Sequence, residues 1–244
     1  MTALIVFLAA ALLLLIFTLM RRRSPAVFRR IEAYERLNRA VGLAVEGGTR
    51  LHVSIGRGNL FTARGGSALA GLAMLRRLSE RTSLSDHPPV VTSGDASLAI
   101  LSQDTLQSGY RAAGAEDQYR FTTGRLTGLT PFAFAAGTLP VMRDENVSAN
   151  VVIGDLGSEA ALIAEAADSQ ETDLIAASDN LSAQSVLYAA SQEPLIGEEL
   201  FAAGAYLGAG ASHDASLQTQ DVLRWLVILA ILGGAALKLL GIGF

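Results

Sequence analysis

Val91-Thr92-Ser93-Gly94-Asp95, Val152-Ile153-Gly154-Asp155 and Ile175-Ala176-Ala177-Ser178-Asp179 follow one plan. In each, a short apolar run ends in small residues and an aspartate, and helical spacing resumes soon afterwards. Short apolar strands that alternate with helices imply parallel pairing through crossover units rather than hairpins. The expected fold is α/β: a mostly parallel sheet flanked by helices, doubly wound in the Rossmann-like manner. The aspartates admit two roles. They start turns and cap helices, the ordinary use of Asp at such places, or they line a ligand crevice at the carboxyl ends of the strands.

Outward from these units, Leu51 to Ile55 alternates as a strand and stops at Gly56, and Ser67 to Leu84 has helical spacing. Val90 to Thr92 is a strand, followed by a helix to about Ala113. Phe132 to Met142 and Val147 to Ile153 both read as extended, joined by Arg143-Asp144-Glu145-Asn146 as a turn. Ser158 is expected to cap a helix to Ala167. Leu174 to Ala176 is a strand, and Ser182 to Ser191 a helix. Pro194 precedes a last helix from Leu195 to Leu207, and Gly208 to Thr219 reads as a Gly/Ala/Ser linker. This places the α/β domain at residues 49–210 and the linker at 211–221.

The apolar excess sits at the two ends. Leu4 to Met20 is apolar except for Thr18 and is followed at once by Arg21-Arg22-Arg23. A helix of about 17 residues rises roughly 25 Å, enough to cross a hydrocarbon core upright. A cleavable signal peptide carries its charge before the apolar run, and here the order is reversed. Residues 1–20 are therefore expected as a transmembrane helix, and 222–244 as a second, with Trp225 at an interface and Lys238 able to snorkel. Gly233-Gly234 and Gly241 would let another helix approach closely. Residues 21–48 are expected as a basic juxtamembrane helix that starts at Ser24-Pro25. Its apolar positions run from Val27 through Ile31, Tyr34, Leu37 and Val41 to Ala44, and its basic side is turned to headgroups. Arginines flank both apolar runs on the side of the central domain, so the domain should be cytoplasmic and the protein two-pass in a bacterial inner membrane.

Residues 21–81 hold 13 arginines against four acidic residues, whereas residues 82–221 hold four against 19. The first part suits anionic lipid, and the acidic remainder would be repelled by nucleic acid, which is not expected as a partner. The absence of cysteine excludes disulfides and thiolate chemistry.

The best candidate for binding a ligand is Gly56-Arg57-Gly58, continuing to Arg64-Gly65-Gly66-Ser67 at a helix start. Glycines let backbone approach an anion, N–H groups at a helix start favour negative charge, and arginines add bidentate contacts. The spacing matches neither a phosphate-loop signature nor G-x-G-x-x-G, so a loop without a ligand is the competing reading. His52, His87 and His213 lack metal-ligand spacing, and no G-x-S-x-G elbow is present. No catalytic residue, metal site or cofactor is assigned.

The segment Ser182-Ala183-Gln184-Ser185-Val186-Leu187-Tyr188-Ala189-Ala190, with Glu193-Pro194-Leu195-Ile196-Gly197-Glu198-Glu199-Leu200-Phe201-Ala202-Ala203-Gly204-Ala205-Tyr206-Leu207, resembles a family of bacterial membrane-anchored proteins of unknown function found among filamentous green bacteria and relatives. The similarity covers about residues 130–210. It implies the anchored architecture and supplies no activity or site. The leading functional expectation is a self-associating membrane scaffold, a homo-oligomer in contact with lipid. The alternatives are a tethered nucleotide- or anion-binding domain and an accessory subunit of a larger membrane complex.

Overall fold

The computed structural model describes residues 2–24, 26–62, 65–83 and 85–240. The chain forms two compact units, residues 29–207 and residues 1–28 with 208–244. In the larger unit the elements run α2 (Glu32–Glu46), β1 (Arg50–Ser54), α3 (Gly65–Thr82), β2 (Val90–Ser93), α4 (Ala96–Ala112), β3 (Gly124–Leu126), α5 (Pro131–Asp144), β4 (Val147–Ile153), α6 (Ala160–Ser169), β5 (Asp173–Ser178), α7 (Leu181–Ala190), β6 (Leu195–Ile196) and α8 (Ala203–Tyr206). The six strands form one sheet in the order β3-β2-β1-β4-β5-β6, parallel throughout.

That order explains the layering. The chain steps outward from β1 to β2 and β3, then returns to the other side of β1 and steps outward again through β4, β5 and β6. Right-handed crossovers in opposite directions place helices on opposite faces. Leu51, Val53, Ile55 and Val151 accordingly pack in one core with residues of α2, α3 and α4, while Val152 and Ala176 pack in a second core with α5, α6 and α7. Alternation along β4 and β5 feeds both cores, which is why those two strands read as short apolar runs.

Several expected elements differ. The segment from Phe132 to Met142 is helical, not extended. Thr130 Oγ1 accepts from the Ala133 N–H, Pro131 fills the first turn, and Phe134, Ala135, Thr138, Val141 and Met142 are buried at helical spacing. Asn146 then turns the chain into β4 with φ +53°. Residues 195–207 begin as the edge strand β6 and continue as a 3₁₀ turn before α8. Strand β3, only three residues long, was not expected. The basic helix begins at Glu32 rather than near residue 26, and it buries Ala33, Tyr34, Leu37, Ala40, Val41 and Ala44 in the first core. Its basic side is partly committed within the unit, since Arg36 pairs with Asp173 at 2.7 Å and Arg29 with Glu199 at 2.5 Å. Pro25 of the expected start and Leu84 at the end of the next helix lie outside the described residues.

In the smaller unit, α1 (Thr2–Arg21) and α9 (Ala211–Leu239) contact each other, and Arg21 Nε donates to Gln218 Oε1 at 2.9 Å. Both helices are long and apolar enough to cross a membrane. The stretch expected as a linker is helical from Ala211 on. Ala215 and Thr219, one turn apart, are buried, and the Thr219 hydroxyl donates to the Ala215 carbonyl at 2.9 Å. Gly241 lies outside the described residues.

A polar chain crosses the buried sheet. His52 on β1 faces Asn150 Oδ1 (2.9 Å) through Nδ1 and Thr92 Oγ1 (2.8 Å) through Nε2, and Asn150 Nδ2 donates to Thr172 Oγ1 at 2.8 Å. The amide oxygen can only accept, so Nδ1 carries the proton and Nε2 accepts from Thr92. His52 is fully buried, and burial pushes its pKa down to about 4, against the Asn150 bond that raises it and with Arg125 adding to the lowering. Between pH 6.5 and 5 an unfolded chain takes up a proton here that the folded domain refuses. Stability should fall through that window by about 1.4 kcal/mol per pH unit at the limiting slope. Urea unfolding of the detergent-solubilised chain, followed by circular dichroism, should show this decline, and His52→Gln should flatten it. A wild-type midpoint unchanged between pH 6.5 and 5 would contradict the assignment.

Candidate functional site

In a doubly wound sheet the crevice for a ligand opens where the strand order reverses, outside the carboxyl ends of the two central strands. Here those strands are β1 and β4, and the loops after them are Ile55 to Leu60 and Gly154 to Glu159. The expected ligand loop therefore stands at the position where this topology places a site. The two loops close onto each other. The Arg57 N–H donates to the Asp155 carbonyl at 2.9 Å, and the Gly94 N–H, from the loop after β2, donates to the Gly56 carbonyl at 2.9 Å.

The glycines serve this crossing. Gly56 has φ +70°, and a Cβ there would lie 2.7 Å from the Asp155 carbonyl oxygen. Gly154 has φ +122°, and its Cβ would lie 2.4 Å from the Ile55 carbonyl oxygen. Both demands, left-handed backbone and chain-to-chain approach, fall where only hydrogen fits. The Arg57 and Gly94 N–H groups are thereby engaged between loops.

Arg57 is the one cation of the motif, among the described residues, that stands here. Its Nε donates to Glu159 Oε1 at 2.8 Å, with the Glu159 side chain 1% exposed and that of Arg57 24%. The backbone N–H groups of Gly157 and Glu159 also lie close to the Glu159 carboxylate. Burial works to raise its pKa, but the Arg57 bond and the two backbone donors outweigh burial and hold it below the ordinary glutamate value. The arginine stem crosses the loop after β2: a Cβ on Gly94 would fall 2.2 Å from Arg57 Cγ.

The rest of the motif is divided. Gly58 is buried beside Arg57. Gly65 and Gly66 open α3, where the Gly65 N–H donates to the Thr62 carbonyl at 3.0 Å, and Ser67 is fully buried in the first turn. Arg64 lies outside the described residues. Of the three strand-end aspartates, Asp95 caps α4, accepting from the Ser97 and Leu98 N–H groups. Asn180, not Asp179, caps α7, and Asn180 Nδ2 donates to Asp155 Oδ1 at 3.4 Å. Ser158 does not cap α6 with its side chain; Glu159 holds that position. Glu159 is the residue that sequence reasoning missed. Its signal was an acid placed between the glycines of the β4 loop and a helix, four residues after Asp155.

No group of three metal-ligating side chains occurs among the described residues. His87 is exposed, and His52 is enclosed in the polar chain described above. Two surface cavities, of about 230 and 500 Å³, lie along α6 and α7, and neither is lined by the loop from Gly56 to Ser67.

The family model described as Domain of unknown function (DUF6754) matches residues 1–244. The chain belongs to this family. The match extends the resemblance from part of the domain to both terminal helices. No curated protein and no solved structure matches the chain.

The crossing predicts an ordering of glycine substitutions. Gly154→Ala meets both backbone strain and a collision, and should destabilise by about 3 kcal/mol or more. Gly48 has φ +60° but open space for 4 Å around the position a Cβ would take, so it carries the strain alone. Gly48→Ala should therefore lose only about 1 kcal/mol. Thermal melts of the two variants in the same detergent test this, and equal losses would contradict it.

Proposed function

We propose that the chain is a two-pass membrane protein that associates with copies of itself, presenting α/β domains as a cytoplasmic scaffold. The observation that carries this reading is in α9. Gly233 and Gly234 sit in the interior of an apolar helix, and an added Cβ at either would meet nothing within 4 Å. Neither glycine is there to admit α1. Small residues in a membrane helix allow close backbone approach of a neighbour, and here that neighbour lies outside the chain. A second copy is the economical occupant, because identical helices supply the same small face twice. The closed strand-end crevice supports a structural role over a nucleotide-binding one.

Native mass spectrometry of the full chain in detergent should give an oligomer. Gly234→Leu should weaken it by roughly tenfold, in line with about 1–2 kcal/mol for a packed membrane helix contact. A clean monomer would sink the proposal. A stoichiometric foreign protein that co-purifies with a monomer would favour an accessory subunit instead.

The orientation follows from the arginines. Arg21, Arg22 and Arg23 follow the first span directly, and Arg224 stands before the apolar part of the second. The cluster and Arg224 belong on the cytoplasmic side, and with them residues 29–207. Protease added to intact spheroplasts should leave this domain whole and cut it only after lysis; cleavage in intact cells would reverse the topology.

A further inference from the structure

The switch point of the sheet has the parts of an anion site. Arg57 supplies a cation from the loop after β1, and Gly157 and Glu159 supply backbone N–H groups at the start of α6, a helix of ten residues. The Glu159 carboxylate occupies the convergence of these donors and is sealed from solvent. We propose that this is an anion site whose ligand is the chain's own Glu159 carboxylate, an internal ligand that locks the β1 and β4 loops together and keeps free phosphate out.

Two features favour a lock over a gate that an outside anion opens. The carboxylate is almost completely buried, so a competitor has no path to it without parting the loops. The loops are also bound to each other through backbone, by the Arg57 N–H to the Asp155 carbonyl, independently of the ion pair. Displacing Glu159 would leave a buried carboxylate without its cation, a state that buried ion pairs resist strongly. The side chain therefore takes the place that a ligand's carboxylate or phosphate would take in a sheet of this order.

Removing the carboxylate should turn the lock into a vacant site of known chemistry. The full chain in detergent, carrying Glu159→Ala, should melt roughly 5–10 °C below wild type, the scale expected for losing a buried charged partner in a domain of this size. Sodium formate, a free carboxylate, should restore at least half of that loss. Sodium chloride at equal ionic strength should not. Wild type should gain nothing from formate or from inorganic phosphate beyond the chloride control. Failure of formate to rescue overturns the proposal. So does stabilisation of wild type by phosphate that Arg57→Gln abolishes, because the cradle would then be open to outside anions. Should Glu159→Ala fail to fold, Glu159→Gln and Arg57→Gln decide the matter. Each should lower the melting temperature, and the double variant should be little worse than either single one. Additive losses would show that the two side chains do not act as a pair.

Discussion

Ser54 lies beside Val152 in a parallel pairing that joins the first strand of the sheet to the fourth, and this contact organises the domain. Chain segments far apart in sequence meet there, so the loop-closure entropy of the domain is concentrated in one seam. Once the seam forms, the remaining strands add on either side through short crossovers, and the hand of those crossovers assigns α3 and α4 to one face and α5, α6 and α7 to the other. Both cores share strand β4, Val151 facing one and Val152 the other.

The seam is held at three levels. Apolar side chains pack above and below it. Within it, His52 and Asn150 form a buried polar contact that fixes register, because a slip by one residue would bury both without partners. At its carboxyl end the two loops cross through Gly56 and Gly154, and the Arg57–Glu159 pair closes over them. The place where this topology ordinarily leaves room for a ligand is here filled by protein. That inversion is one ground for the structural role proposed for the domain.

Much of this fold was legible, for physical reasons. Strands buried on both faces appear as short apolar runs, and Val91, Val152 and Ile175 announced them. The ends were plainer still, since apolar runs of this length announced helices able to cross a membrane. What failed was local chemistry overridden by context. Phe132 to Met142 read as extended, yet even Pro140 sits well inside α5, where the Thr130 cap and the buried spacing from Phe134 to Met142 hold the helix. The glycines and serines of 208–219 suggested a linker, yet burial of Ala215 and Thr219 keeps most of it helical. At the candidate site the glycine loop and Arg57 stood out as unusual, but the reason was hidden. Glycine is needed equally for approach to a phosphate and for approach to another loop, and only three-dimensional proximity shows that Glu159 answers Arg57.

If the β1–β4 seam is the centre of stability, its amides should be the last to open. Hydrogen–deuterium exchange of the full chain in detergent, resolved to peptides, measures this directly. The amides of β1 from Leu51 to Ser54 and of β4 from Ala149 to Val152 should exchange only through global unfolding, with β3 and β6 at the sheet edges opening earlier. Exchange of β1 and β4 as early as the edge strands would contradict the account.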